Sequence, residues 1–562
     1  MSPRWAAGLV ALLGLALYLP GLGAEILRSP LEVKYALVAR QMLDGAPLLV
    51  PRIFGELYPD KPPLYFWTTA TLGWLAGGID ETMARLPATL AAVGALLVVH
   101  RLGTDLFGPR AGLMAACTLA TSNLFFWYAR QGHPDQFLIA FVTLACLGLW
   151  RSLHAGIHRA GWTTLAYGAM GLGVLSKGLL GAVLPLLAAT SYLVLTGPVR
   201  AIPARLHLRL GLPVFFAVVL AWYGPAVAHT GRDYLYETLV HQHLTRYART
   251  WEHQETWYYY LGQFPVQFFP WVLFLPGALV LGWRSRRAVS EGSRPASPRA
   301  SADPAIPGLQ PVLFPLAWFV SGVLLFSLSS SKRGAYLLPL YPAAALLVGW
   351  LWDRALATRS RSRWLGLPLT ALGAAAALLA LVLAIVPRRV IVAHIGPASR
   401  ADTLVPAEPW QLVGIVALLL ASAAGVLWAW RRDRPAAAFA TLVAVQAVAL
   451  LGVTTVRAPQ YEARLPIRAL AARVRQAVPP GRPVVITLRD HNLLAAFYVD
   501  RPVTLRTGTE SMLEARRNAD EPGYALVDGD DPIVGQPGIH TLAEAWLGRE
   551  HVVFVRVDPA LP

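Results

Sequence analysis

The sequence predicts an α-helical membrane protein that crosses the bilayer many times and ends in a small soluble α/β domain. Of its 562 residues, 55% are hydrophobic and 14% are charged, a composition that excludes a soluble protein built on one large core. Apolar runs long enough to cross a bilayer recur up to about residue 457. Beyond that point the pattern changes to short runs typical of β-strands.

Each apolar run is the expected location of one transmembrane helix. Because roughly 20 residues cross the hydrocarbon core, the pattern predicts about thirteen transmembrane helices. The first run is interpreted as a retained span and not as a signal peptide, since no convincing cleavage site follows it. The runs lie at residues 5–23, 84–102, 110–128, 135–150, 162–176, 178–196, 210–229, 263–283, 311–328, 335–352, 364–386, 409–430 and 436–456.

The basic residues predict how the chain is oriented in the membrane. A net charge of +17 would indicate a nucleic-acid partner in a soluble protein, but here most basic residues lie in short loops between apolar runs. If the N-terminus is cytoplasmic, every short cytoplasmic loop is basic, as at Arg101, Arg151 and Arg200. An odd number of spans then places the C-terminus outside. We therefore expect a multi-pass inner-membrane protein with a flexible cytoplasmic linker at residues 284–309.

Two domains follow from this pattern. Residues 1–457 form the membrane domain, with external loops at residues 24–83 and 230–262. Residues 458–562 form an external α/β domain of about 100 residues, within the usual range for a domain. Its predicted helix is RLPIRALAARVRQAV, and its predicted strands are PVVITLRD, AFYVD, PVTLR, YALVDG and HVVFVRV. The two cysteines, Cys117 and Cys146, lie in apolar runs and predict no disulfide or cysteine metal site.

The lysines point to a cationic site on the external face. Only four of the 49 basic residues are lysines, and under the predicted topology all four lie on that face: Lys34, Lys61, Lys177 and Lys332. Lysine and arginine cations bind phosphate through charge-assisted hydrogen bonds. Lipid headgroups at the membrane surface are the alternative partner of these side chains.

Two acidic residues on the same face, Glu32 and Asp135, are candidates for catalysis, because acidic residues beside membrane spans are costly and tend to be functional. A carboxylate facing cations could deprotonate a hydroxyl beside a bound phosphate. A purely structural interpretation remains open, in which Asp135 caps its helix and Glu32 pairs with Lys34 or Arg40.

The loop at residues 230–262 is rich in aromatic and histidine residues. His241, His243 and His253 lack the HxxxH or HExxH spacing of a zinc site. An interfacial aromatic belt with donors to a polar headgroup is therefore favoured. No metal ligand is therefore assigned and no cofactor is predicted with certainty, and a divalent metal remains an open alternative.

Several motifs resemble those of the bacterial ArnT-like glycosyltransferases, relatives of the protein O-mannosyltransferases that share the GT-C-type membrane fold. They occur in family order over about residues 20–345 and include LYPDKPPLYFW, SKGLLGAVLP, HQHLTRYA and FSLSSSKRGAYLLPLYPA. The resemblance implies a bacterial inner-membrane enzyme that transfers a pentose or hexose, with inversion, from an undecaprenyl-phosphate sugar. The acceptor would be lipid A or another envelope lipid or glycan at the periplasmic face, where the C-terminus is also expected.

The resemblance also implies roles for particular residues. Glu32 and Asp135 match catalytic positions. The donor phosphate would be bound by Tyr58, Lys61, Arg246 and Tyr336. Further substrate contacts are expected at Lys34, Tyr35, Arg85, Lys177, His243, Lys332 and Arg333.

One position departs from the family pattern. The first external loop of the family usually reads Pro-Asp-Glu, whereas this chain reads Pro30, Leu31, Glu32. Either Glu32 acts as the base, or the acceptor is a phosphate that needs no base, or the chain is a catalytically weak protein that binds the lipid carrier. A protein O-glycosyltransferase is the alternative within the enzyme class. A transporter is disfavoured, because the predicted spans are almost free of charged residues.

Overall fold

The computed structural model describes most of the chain. Its described residues exclude residues 1–2, 28, 155–157, 239–254, 291–309, 359–361, 387–389, 391–408, 488–489, 507–520, 548–549 and 560–562.

The helices of the first half are α1 to α12. Their bounds are Pro3–Tyr18, Pro30–Leu43, Leu64–Ala76, Glu81–Phe107, Pro109–Ala120, Asn123–Ala129, Asp135–His154, Arg159–Lys177, Leu180–Thr196, Ile202–Arg205, Leu208–Thr230 and Arg232–Leu235.

The helices of the second half are α13 to α21. Their bounds are Tyr259–Gln267, Leu275–Ser290, Leu313–Leu328, Tyr341–Thr358, Arg363–Ile385, Pro409–Arg431, Pro435–Arg464, Ile467–Ala477 and Asp490–Tyr498. Short 3₁₀ turns occur at Val199–Ala201, Trp271–Phe274 and Gly334–Leu340.

The predicted membrane architecture is confirmed. Every predicted apolar run coincides with a helix or with a broken pair of helices. Within the described residues, seven helices are long and apolar enough to cross a membrane, or eight if the bent pair Tyr259–Gln267 and Trp271–Ser285 is one span. Three shorter apolar helices accompany them, at Arg4–Tyr18, Leu180–Thr196 and Leu313–Leu328.

The chain divides into two compact units. The first comprises Met1–Pro20, Pro59–Tyr65 and Ala88–Val453, and the second comprises Gly21–Tyr58, Phe66–Pro87 and Thr454–Pro562. Parts of the first external loop are therefore grouped with the C-terminal residues. The domain division at residue 457 stays a prediction.

The first unit is a helical bundle with an apolar core. Helix α7 packs on α8 and α9, and α5 packs on α16. Small residues allow close contact between α7 and α8, because a Cβ at Gly148 would lie 2.9 Å from the Cα of Ala166.

The second unit contains a five-stranded sheet. Its strands are β3 to β7, at Val484–Thr487, Val503–Arg506, Gly523–Asp528, Ile539–Leu547 and Glu550–Val557, after the short hairpin β1–β2 at Arg52–Ile53 and Glu56–Leu57. The order is β4-β3-β5-β7-β6, in which β3 pairs in parallel with β4 and β5, and β7 pairs antiparallel with β5 and β6. The predicted α/β class of this region is confirmed.

One strand prediction is wrong. The run AFYVD lies at the end of helix α21 and is not a strand. Leu493, Leu494, Phe497 and Tyr498 are buried at helical spacing, and short apolar runs do not by themselves distinguish a strand from a helix.

Candidate active site

Asp135 and Lys177 form an ion pair at the ends of two packed helices. Asp135 is the first residue of α7 and Lys177 is the last residue of α8. The Nζ atom of Lys177 donates a hydrogen bond to Oδ1 of Asp135. The accessible fraction is 8% for the Asp135 side chain and 17% for the Lys177 side chain. The pair is therefore mostly buried.

Two more basic groups act on the Asp135 carboxylate. Lys61 and His133 both lie within electrostatic range of it, in addition to Lys177. The segment that carries Lys61 is held beside α7 by Tyr65, whose ring makes an edge contact with Phe137 at 5.8 Å between centroids. The Nζ atom of Lys61 also donates a hydrogen bond of 2.8 Å to the carbonyl oxygen of Asp60.

The other side of this site is formed by Tyr128, Arg333 and Tyr336. Asp135, Arg333 and Tyr336 all lie within electrostatic range of the Tyr128 hydroxyl. Arg333 is half-buried, and its guanidinium makes no hydrogen bond or ion pair with any residue that the structure describes. Tyr336, in the 3₁₀ turn that follows, packs against Phe326 at 6.4 Å between centroids. A guanidinium near a phenol, with no partner among the described residues, is suited to binding an anion.

Lys332 has a different environment. It is buried, with 4% of its surface accessible, and its ammonium donates to the backbone carbonyls of Ser329 and Glu255. These contacts use two of the three hydrogen-bond donors of the ammonium group. The contacts therefore favour a structural role for Lys332 over direct contact with substrate.

Glu32 is paired with Arg85, and not with Lys34 or Arg40 as the structural interpretation expected. The Nε atom of Arg85 donates to Oε1 of Glu32 at 2.8 Å, and Nη2 donates to Oε2 at 3.3 Å. The same guanidinium donates to the carbonyls of Leu22, Glu25 and Ile26 at 2.7–2.8 Å. Only 1% of Glu32 and 3% of Arg85 is accessible, so this is a buried structural ion pair.

The nearby tyrosines are also buried. Tyr35 and Tyr58 both pack against Phe66, at 5.8 and 6.1 Å between ring centroids. Lys34 is half-buried on α2. These residues lie in the second unit together with Glu32 and Arg85, whereas Lys61, Asp135, Lys177, Lys332, Arg333 and Tyr336 lie in the first.

Two of the predicted site residues, Arg246 and His243, lie outside the described residues, as do His241 and His253. His133 and Tyr128 also lie at this site, although neither was predicted as a site residue. His133 stands two residues before Asp135 in the run GHPDQ, and that proximity was the available signal. Within the described ranges no group of three or more His, Cys, Asp or Glu side chains could hold a metal ion.

The fold and this site define the class of the protein, a polytopic membrane protein with a charged site at helix ends. Over residues 60–223 it matches the family model described as dolichyl-phosphate-mannose-protein mannosyltransferase. The structure aligns with the crystal structure of ArnT from Cupriavidus metallidurans bound to undecaprenyl phosphate, with a TM-score of 0.77 and 22% identity, over 99% of this chain and 98% of that one. The GT-C-type fold is thereby confirmed.

Curated relatives sharpen the resemblance. The chain is 29% identical over 354 residues to the undecaprenyl phosphate-α-4-amino-4-deoxy-L-arabinose arabinosyl transferase of Pseudomonas aeruginosa, covering 62% of this chain and 60% of that protein. It is 30% identical over 370 residues to a protein of the same description in Pseudomonas fluorescens, covering 64% and 62%. The chain thus aligns with about three fifths of the length of these relatives. The resemblance to ArnT-like proteins, predicted from the motifs, is confirmed.

Proposed function

We propose that this protein is an inverting membrane glycosyltransferase that moves a sugar from undecaprenyl phosphate to an acceptor on the periplasmic face of a bacterial inner membrane. The observation that carries the proposal is the cluster of Asp135, Lys177, Lys61 and Arg333 at the ends of packed helices. The named relatives use 4-amino-4-deoxy-L-arabinose on undecaprenyl phosphate, which makes that pentose the first sugar to test. Lipid A is the first acceptor to test.

Inversion requires the acceptor oxygen to attack the anomeric carbon from the side opposite the leaving phosphate. The bond from that carbon to the phosphate oxygen breaks, and undecaprenyl phosphate leaves with the electron pair. Lys61 and Arg333 are the cations that we propose stabilise the charge developing on this leaving phosphate. Tyr336 supplies a neutral hydroxyl donor beside them, and Arg246 and Tyr58 remain proposed phosphate ligands from the family motif.

Asp135 is the group proposed to activate the acceptor. A hydroxyl acceptor would lose its proton to this carboxylate as the new bond forms. A phosphate acceptor is already ionised, in which case Asp135 holds Lys177 in position for it. Both roles use the contact between Asp135 and Lys177. The size of the loss in an Asp135→Asn variant distinguishes them.

The buried pair of Glu32 with Arg85 supports a positioning role for Glu32. Both of its oxygens receive hydrogen bonds from Arg85, and almost none of its surface is accessible. Leu31 replaces the aspartate that the family usually has at the preceding position. Of the two carboxylates proposed from the sequence, Asp135 is therefore the one that we propose acts in the chemical step.

The periplasmic orientation rests on the arginines in the predicted cytoplasmic loops. Two of them take part in ion pairs near helix ends. Arg151 bonds Asp105 at 2.6 Å, and Arg110 pairs with Asp353. Asp135 and Lys177 are at the opposite ends of α7 and α8 from Arg151 and Arg159. An external active site follows if the basic ends are cytoplasmic.

The test is sugar transfer in proteoliposomes that contain undecaprenyl phosphate-4-amino-4-deoxy-L-arabinose and lipid A. Wild-type protein should give modified lipid A, detected by mass spectrometry. Asp135→Asn and Lys61→Ala should each lower the rate by roughly 100-fold, as loss of a general base or of a charge-stabilising group does. Asp353→Asn, a carboxylate in an ion pair elsewhere, is the matched control. Equal activity in Asp135→Asn, Lys61→Ala and wild type would overturn the proposal.

A protein acceptor is the second candidate, because the matching family model describes protein mannosyltransferases. The same vesicles with a serine-rich and threonine-rich peptide in place of lipid A test this candidate. Transfer to the peptide without transfer to lipid A would replace the lipid acceptor by a protein one. It would leave the proposed roles of Asp135 and Lys61 intact.

A further inference from the structure

A groove of about 650 Å³ opens within the second unit, between the end of α2, the loop that follows it, and α3. This volume is in the range of sites that bind small molecules. The lining residues are Met42, Leu43, Leu48, Leu49, Trp67, Ala70, Thr71 and Trp74.

The walls of this groove present almost no polar group that could bind a ligand. The Nε1 atom of Trp67 donates a hydrogen bond of 2.7 Å to the carbonyl of Leu48, and Thr71 Oγ1 donates one of 2.7 Å to the carbonyl of Trp67. No charged side chain lines it, and residues 62–79 contain no charged residue at all. Its surface therefore suits hydrocarbon.

The rim of the groove is an exposed apolar surface. Trp74 is 70% accessible, Leu75 is 68% accessible and Leu48 is 57% accessible. Clustered exposed apolar side chains of this kind mark interaction surfaces. Large aromatic residues such as Trp74 are enriched where a protein meets the membrane surface.

Chain connectivity places this surface close to the start of a candidate membrane-spanning helix. Helix α3 ends at Ala76 and the spanning helix α4 begins at Glu81. The four residues between them reach at most about 14 Å. The exposed apolar end of α3 is thus tied close to the first residue of α4, a helix long and apolar enough to cross a membrane.

We infer that this groove binds one acyl chain of a bilayer glycerophospholipid and thereby anchors α3 to the membrane surface. The described lining residues can recognise a hydrocarbon chain but no feature of a headgroup. Phospholipid is therefore favoured over a donor or acceptor lipid by its abundance in the bilayer. The groove binds the acyl chain of a lipid and does not contact its headgroup. The most abundant acyl lipid of the membrane therefore occupies it. This site does not depend on the proposed transferase activity.

The experiment uses the full-length protein in phosphatidylethanolamine and phosphatidylglycerol vesicles with a trace of phospholipid carrying a diazirine at the acyl end. After irradiation, mass spectrometry maps the labelled peptides. Peptides containing residues 42–49 and 67–74 should be labelled more heavily than those of the apolar helix Arg363–Ile385. Labelling no greater in the groove than on that helix would overturn the inference.

Variants keep the test specific. Ala70→Phe fills the groove and should reduce its labelling about tenfold, the effect of excluding roughly two methylenes from an apolar site. Ala374→Phe makes the same change on an exposed face of Arg363–Ile385 and should leave groove labelling unchanged. Trp74→Ala removes an exposed wall without risk to a core, and should also reduce labelling. Unchanged labelling in both groove variants would contradict the inference.

Competition with unlabelled lipids identifies which lipid supplies the bound acyl chain. Excess unlabelled phosphatidylethanolamine should reduce groove labelling in proportion to its dilution of the probe. Undecaprenyl phosphate or lipid A at equimolar amounts with the probe should not. Selective displacement by either would assign the groove to a donor or acceptor lipid and overturn the choice of phospholipid.

Discussion

Arg85 encloses the carboxylate of Glu32, donating to both of its oxygens while it also bonds three backbone carbonyls of residues 22–26. One guanidinium thus ties the start of α4 to the turn after α1 and to the first turn of α2. A glutamate held this way is suited to a structural role. Its substitution should therefore act on stability before it acts on chemistry.

Glu32→Gln should destabilise the second unit by about 3 kcal/mol, because it leaves a buried arginine without its charge partner. Thermal unfolding in detergent measures this. Glu56→Gln, at an exposed position on β2, is the control and should unfold like wild type. If Glu32→Gln kept wild-type stability but lost transfer, Glu32 would be a catalytic residue after all.

Asp135 and Lys177 should behave as one functional unit. Because each substitution breaks the same ion pair, Asp135→Asn with Lys177→Ala should lower transfer about as much as the worse single variant does. The measurement is a double-mutant cycle on the transfer rate in proteoliposomes. Losses that multiply would show that the two residues act separately.

Arg40 should stabilise the packing of helix α21 within the second unit. Its guanidinium donates to the carbonyls of Phe497 and Ile79, each at 2.6 Å, and stacks 3.9 Å from the centroid of the Phe497 ring. Burial lowers the pKa of Arg40, and Asp500 and other acidic neighbours oppose that effect. Arg40→Ala should cost about 2 kcal/mol, since two buried carbonyls lose charged donors.

Hydrogen exchange across α21 reports that loss. Faster exchange in Arg40→Ala than in wild type is the expected result. Arg52→Ala is the matched control, because its guanidinium bonds only the nearby carbonyl of Gly55 at an exposed site. Equal exchange in the two arginine variants would contradict this stabilising role of Arg40.

Tyr498 should make the second unit sensitive to alkaline pH. Its hydroxyl donates to Glu81 at 3.0 Å and accepts from the amide of Leu27 at 3.0 Å. Burial, and then the charge of Glu81, raise the pKa of Tyr498. A raised pKa means that the folded state holds the proton more tightly than the unfolded state, whose tyrosine titrates near about pH 10.

The stability contributed by this proton is therefore present below about pH 10 and is lost as the pH rises above it. Wild type should lose more stability than Tyr498→Phe between pH 9 and pH 11, values chosen to bracket about pH 10. Near neutral pH the Phe variant should be about 1 kcal/mol less stable, for the lost hydrogen bonds. Parallel stability curves for the two proteins would refute this role.

Local patterns predicted much of this fold. Apolar runs such as residues 210–229 and 364–386 match single helices, Leu208–Thr230 and Arg363–Ile385, because membrane spans must satisfy their backbone hydrogen bonds internally. The helix pattern at residue 467 and four of the strand runs were also correct. Helix α3 was missed, because at 13 residues it is too short for a span and was interpreted as loop.

Partners far apart in the chain could not be predicted. Under the structural alternative Glu32 would pair with Lys34 or Arg40, whereas its partner is Arg85, 53 positions away. Lys177 and Asp135 were both nominated, but only the packing of α7 on α8 brings them into contact. Lys332 looked like a ligand by sequence, and its burial against backbone carbonyls was visible only in three dimensions.

The most direct test of the central claim is the stoichiometry of sugar transfer in vesicles containing donor and acceptor. Wild type and Asp353→Asn should each release one undecaprenyl phosphate for every sugar that reaches lipid A. Asp135→Asn and Lys61→Ala should form modified lipid A and undecaprenyl phosphate at no more than about 1% of the wild-type rate. Such a result would establish a transferase whose chemistry depends on the Asp135 cluster. Full turnover in both cluster variants, or no transfer by wild type in vesicles where it binds the donor, would contradict the account.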